Sequence, residues 1–91
     1  PILIVQHILR GLSGYFAESL SRKLPRPVIE VNEPTIIQPH GVYVARSGFH
    51  MIVRREIDGL VKANLTSQPP ENNCRPSVDV LFRSAASVYI S

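Results

Sequence analysis

Ninety-one residues with 44% hydrophobic content suit one small domain or part of a larger one. Ten basic against seven acidic residues leave a formal charge of +3, and Tyr15, Tyr43 and Tyr89 do not interleave with those charges, which argues against nucleic acid as a partner. One cysteine excludes an intrachain disulfide, and no run approaches the roughly 18 apolar residues of a membrane-spanning helix; no secretory leader is visible, so the cytoplasm is the expected setting.

The chain opens on Pro1-Ile2-Leu3-Ile4-Val5-Gln6-His7, a β-branched run that reads as a buried parallel strand with a histidine at its tip. A helix follows, with Ser13 as its expected N-cap and Phe16, Leu20 and Leu24 on one face. Pro25 and Pro27 stop it, and Arg22, Lys23 and Arg26 cluster where cations complement the helix dipole. Val28-Ile29-Glu30-Val31 makes a second short strand, and the stretch holding Pro34, Pro39 and Gly41 reads as a turn-rich connection.

From Val42 the period becomes that of strands. Val42 to Ala45, Phe49 to Arg54 and Leu60 to Leu65 are the candidates, the last two joined at Asp58-Gly59 as a tight hairpin. Ser67 to Asn73 has the composition of a loop. Val78, Leu81, Phe82, Ala85 and Tyr89 then lie on the apolar face of a helix beginning near Pro76 or Ser77. The expected fold class is therefore α/β, a partial three-layer α/β sandwich with a mainly parallel sheet and an antiparallel hairpin arm.

Ligands of open α/β sheets bind beyond the carboxyl ends of the strands, which is where His7 stands. Position alone leaves two readings of it open, a strand-end histidine satisfied by a neighbouring carbonyl and a reaction centre. His40, between Pro39 and Gly41, reads as an exposed turn residue, and His50 as structural, so His50→Gln is expected to retain most activity. The three histidines lack metal-ligand spacing, so no metal or other cofactor is expected. Arg75 is equally suited to meeting an acidic segment of a protein substrate and to pinning the preceding loop. Ser77 is a second, weaker candidate for substrate binding, with helix capping as the competing role.

Three sets of residues carry a resemblance to a known family. They are Ile4-Val5-Gln6-His7 running into Gly14-Tyr15-Phe16-Ala17-Glu18-Ser19-Leu20, then Tyr43-Val44-Ala45 with Gly48-Phe49-His50, and finally Arg75-Pro76-Ser77-Val78-Asp79-Val80-Leu81-Phe82-Arg83-Ser84-Ala85-Ala86. In this order and spacing they resemble the catalytic domain of the chemotaxis protein-glutamate methylesterases, the Arg75 to Ala86 stretch being the most specific. The resemblance implies a serine hydrolase that removes methyl groups from glutamate methyl esters on chemoreceptors, with receptor glutamine deamidation as a second activity. It assigns His7 as the histidine of the catalytic triad. It also implies that residues 1–91 are the central portion of one catalytic domain, cut at both ends. The family's nucleophilic serine lies in a Gly-Ala-Ser-Thr-Gly-Gly-like turn before this histidine, and its aspartate in a later Gly-rich loop; neither is found here. Ile8-Leu9-Arg10 stands where Met-Pro and a variable residue are usual, Arg46-Ser47 where Pro-Gly is usual, and Cys74 at a variable position.

Ester hydrolysis by a serine needs a base within hydrogen-bond reach, a carboxylate to orient that base, and N–H groups facing the oxyanion. Only the base is visible in this span, so the 91 residues alone are expected to be inactive. The implied partners are methyl-accepting chemotaxis receptors as protein substrate and a receiver domain elsewhere in the full protein. The alternative is a non-catalytic interaction module that retains part of the scaffold. The first strand has the composition of a central strand, so an unpaired edge there predicts self-association of the isolated span.

Overall fold

The computed structural model describes residues 1–69 and 75–89. Three short strands form a wholly parallel sheet. They are β1 (Ile2–Ile4), β2 (Val28–Val31) and β4 (Val42–Ala45), and they stand in the order β1-β4-β2. Ile2 pairs with Val42 and Ile4 with Val44 on one side of β4, while Val28 to Val31 pair with Val42 to Ala45 on the other. The central place thus belongs to β4, all four of whose residues are buried. β1 is half-buried and has no partner strand on its outer edge among the described residues.

Helix α1 (Ser13–Lys23) crosses from β1 to β2 and packs against β2 and β4, burying Ala17. Its N-cap is Leu12, which makes no side-chain cap bond; Ser13 is the first helical residue and its hydroxyl is used elsewhere. Arg22 and Lys23 occupy the last turn, as the dipole favours, and Arg22 also pairs with Glu18 at 2.9 Å. Arg26 is not part of that arrangement. Its Nε donates to the His40 carbonyl at 2.7 Å and ties the segment before β2 to a turn in which His40 has a positive φ of 70°.

The turn-rich connection contains a strand of its own, β3 (Thr35–Ile36), which joins β5 (His50–Arg55) and β6 (Val61–Thr66) in an antiparallel sheet of order β3-β6-β5. The hairpin between β5 and β6 is present, with Met51 opposite Leu65 and Val53 opposite Ala63. Its turn differs from the tightest kind. Gly59 N–H donates to the Glu56 carbonyl at 2.9 Å and only Gly59 has positive φ, so this is a three-residue connection with glycine in the left-handed position. The hairpin forms the expected antiparallel arm beside the parallel sheet and is packed onto it. Met51, Val53 and Ala63 share one core with Val31, Tyr43, Ala45 and Leu81, which welds the two sheets together.

Helix α2 (Val78–Tyr89) lies on β5. The face it buries carries Leu81, Ala85 and Val88, with Val80 beside them; Val78, Phe82 and Tyr89 point outward. Polar chemistry selects that face. Ser84 Oγ accepts the Val53 N–H at 3.0 Å, satisfying the edge of β5 that β6 leaves open, and Arg55 Nη2 donates to the Val88 carbonyl at 3.3 Å. Most of the expected 67–73 loop, with Cys74 after it, lies outside the described residues. No helix among the described residues is long and apolar enough to cross a membrane.

Candidate active site

The parallel register brings the chain segments after β1, β4 and β2 to one edge of the sheet. β1 ends at Ile4, so His7 lies three residues beyond it, exposed, in the loop that leads to α1. That loop is held from below by two serines. Gly11 N–H donates to Ser47 Oγ at 3.0 Å, and Ser47 N–H donates to Ser13 Oγ at 3.0 Å. The Ser13 hydroxyl in turn donates to Glu30 Oε2, and Asn32 Nδ2 donates to Glu30 Oε1 at 2.9 Å. The ends of all three parallel strands are thereby joined through polar groups, with Ser13 and Ser47 buried.

Glu30 explains why Ser13 is not a cap. The first turn of α1 carries no acidic residue of its own, and a side chain at Gly14 would meet Glu30 Oε1 at 3.5 Å. The carboxylate therefore reaches the helix N-terminus from the neighbouring strand, where negative charge is favoured. A cleft of about 470 Å³ opens above this group, lined by Gly14, Tyr15, Glu18, Asn32 and Arg46 among others. A smaller one of about 230 Å³ lies next to it, between Arg10 and Gly11 of the His7 loop and Arg46, Ser47 and Phe49 after β4.

The remaining candidates occupy the next layer. His50, the first residue of β5, is fully buried. Its Nδ1 accepts the Ser77 N–H at 3.2 Å and its Nε2 faces the Pro69 carbonyl at 3.0 Å, which requires the neutral tautomer with the proton on Nε2. His50 is thus a structural link between β5, the 67–69 loop and the start of α2. Ser77 is buried, and its carbonyl accepts the Leu81 N–H at 3.3 Å as the helix begins. Arg75 donates through Nη1 to the carbonyls of Ser67 at 3.2 Å and Gln68 at 3.4 Å, so it pins the preceding loop by hydrogen bonds. The structure brings Ser77 to His50; neither Arg75 nor Ser77 has a hydrogen bond to His7 among the described residues. No cluster of metal-ligating side chains occurs among the described residues.

Sequence reading passed over Glu30, Ser47 and the two arginines. Glu30 carried a signal, since an acid inside a β-branched strand of a parallel sheet must find a polar partner. The serine relay carried none, because Ser13 and Ser47 lie far apart in the chain and meet only once β4 stands beside α1.

Comparison with known proteins points the same way as this arrangement. A family model described as CheB methylesterase matches residues 1–91. A protein-glutamate methylesterase/protein-glutamine glutaminase from a Nocardioides species is 41% identical over 87 residues, which is 96% of this chain and 24% of that protein. The protein of the same description from Desulfotalea psychrophila is 41% identical over 91 residues, 99% of this chain and 25% of its own length. The crystal structure of the Thermotoga maritima CheB methylesterase catalytic domain superimposes with a TM-score of 0.91 at 31% identity, covering 98% of this chain and 47% of that one. The chain spans about a quarter of the length of these curated relatives. Sequence match over the whole span and a shared fold at 31% identity lead to one conclusion: the chain belongs to the CheB methylesterase family.

Proposed function

We propose that the protein containing this chain hydrolyses glutamate methyl esters on chemoreceptors by a serine-hydrolase mechanism, with His7 as general base. Residues 1–91 are read as the central portion of one catalytic domain whose serine and aspartate lie outside this span. The observation that carries the reading is the placement of an exposed histidine on a polar-anchored loop at the carboxyl edge of a parallel sheet, in a chain that matches the methylesterase family throughout.

The chemistry follows from that placement. His7 takes the proton of the serine hydroxyl as its oxygen adds to the ester carbonyl, then gives it to the methoxide oxygen as the C–O bond breaks and methanol leaves. Water, deprotonated by the same imidazole, cleaves the acyl-enzyme and releases glutamate. An amide in place of the ester releases ammonia, and the curated relatives' names include a protein-glutamine glutaminase. The substrate is a cytoplasmic segment of a methyl-accepting receptor, and a receiver domain elsewhere in the protein is the proposed regulatory partner.

The test is methanol release from methylated receptor by the whole protein. His7→Gln is expected to lower turnover by on the order of 10³ or more, as for a general base working with its nucleophile, with the fold unchanged. His40→Gln, in an exposed turn, should retain turnover. Equal losses in the two variants would remove His7 from the mechanism, and the 91-residue span alone turning over the ester would overturn the division of the triad.

A further inference from the structure

The smaller strand-end cleft contains two guanidinium groups and no acid. Arg10, on the His7 loop, and Arg46, just after β4, both line it, together with Gly11, Ser47 and Phe49. Neither arginine side chain has an ion-pair or hydrogen-bond partner among the described residues. The nearby acids are committed elsewhere. Glu18 is engaged by Arg22 at 2.9 Å, and Glu30 by Ser13 and by Asn32 at 2.9 Å.

Each group has a defined neighbour. The Arg46 guanidinium lies over the Phe49 ring, 5.6 Å from its centroid, a cation–π arrangement that restricts the side chain and occupies none of its N–H donors. Arg10 lies across Gly48, where a side chain would stand 3.6 Å from Arg10 Nη2, and its backbone neighbour Gly11 is fastened to Ser47 Oγ at 3.0 Å. Two like charges in one cleft of about 230 Å³ repel each other, and a carboxylate entering between them removes that repulsion and gains charge-assisted hydrogen bonds.

From this we infer that Arg10 and Arg46 form a subsite for an acidic side chain of the protein substrate, placed near the glutamyl group that reacts; the inference rests on the proposed esterase reading for the identity of that substrate. Chain geometry sets the offset. Arg10 follows His7 by three residues, so their Cα atoms are at most about 11 Å apart. A substrate segment bridges that span with a few extended residues or about two helical turns, so the recognised acid lies within a few positions of the ester.

The experiment uses the whole protein and paired peptides, each with one glutamate methyl ester and, at successive nearby positions, either glutamate or glutamine. At one or more offsets the parent enzyme is expected to favour the glutamate peptide by about tenfold in kcat/KM, through KM. Arg10→Gln and Arg46→Gln should shrink that preference to twofold or less while leaving the glutamine peptide's turnover intact. Arg10→Glu combined with Arg46→Glu should turn it toward a lysine peptide, and Lys23→Gln, which removes a charge at the far end of α1, should change nothing. A parent without preference at any offset, or arginine variants that slow both peptides alike, would overturn the subsite. Binding separates this from failure of the esterase reading. In a His7→Gln background, fluorescence anisotropy with the glutamate and glutamine peptides lacking the ester should still show the difference. Equal affinities there sink the subsite whether or not the parent is an esterase.

Discussion

An exposed and a buried role of histidine separate cleanly at the level of single residues. His7 is exposed on its loop, whereas His50 has no exposed surface and spends both ring nitrogens on backbone groups of Ser77 and Pro69. The reading of His50 as structural agrees with this geometry, and its burial adds a stability cost to replacement that the sequence does not show. An apolar substitute leaves a buried N–H and a buried carbonyl without partners, at about 1–3 kcal/mol. His50→Ala is expected to lower the unfolding free energy of the whole protein, read from urea titration, by at least that amount. His40→Asn, at a left-handed position that asparagine accepts, should shift stability by no more than about 0.5 kcal/mol. The two histidines look alike in the sequence; only the arrival of α2 over the start of β5 distinguishes them.

Among the elements, local chemistry was legible and long-range competition was not. Pro25 and Pro27 end α1, and Asp58-Gly59 places the hairpin to within a residue, because turn and breaker signals act over a few positions. The expected apolar face of α2 holds at Leu81 and Ala85 and fails at Val78, Phe82 and Tyr89, which are exposed. Those three are bulky, and bulk alone favours them as buried. The face with Leu81, Ser84, Ala85 and Val88 is the one that packs, since small residues let the helix approach β5 and Ser84 can satisfy the Val53 N–H. Ser84→Ala strips that edge amide of its acceptor and is expected to cost about 1–3 kcal/mol in thermal or urea unfolding, with faster hydrogen exchange at Val53. Retention of both values would show that α2 is held by apolar contact alone. The short strand β3 escaped notice for a similar reason: two residues carry no period, and Ile36 pairs with Lys62 only because β6 is already there.

For the molecule as a whole, the α/β class and the strand-end cleft follow from the order of strands and helices, but the sheet order does not. Nothing local in Val42-Tyr43-Val44-Ala45 marks it as the middle strand rather than the chain's apolar opening. That order leaves the outer edge of β1 without a partner among the described residues, with Ile2, Leu9 and Leu12 exposed nearby. An uncharged strand edge is a template for another chain. The 91-residue span on its own is expected to self-associate at micromolar concentration in sedimentation velocity, while the whole protein stays free of contacts through that edge. A monodisperse, cooperatively unfolding 91-residue monomer would refute the expectation.

The middle position of β4 also fixes an order in time. β1 and β2 do not pair with each other; each is joined to the sheet through β4, Ile2 by way of Val42 and Val28 by way of the same residue. A ribosome adding about 5–20 residues per second takes about 2–8 s to go from β1 to β4. Through that interval β1 lacks its β4 neighbour, and the His7 loop has no Ser47 to rest on. The wait is a property of connectivity rather than of strength, since no improvement to β1 or β2 shortens it. Non-local closure of this kind slows folding, and the strand-end edge that carries the His7 loop is complete only once β4 joins β1 to β2.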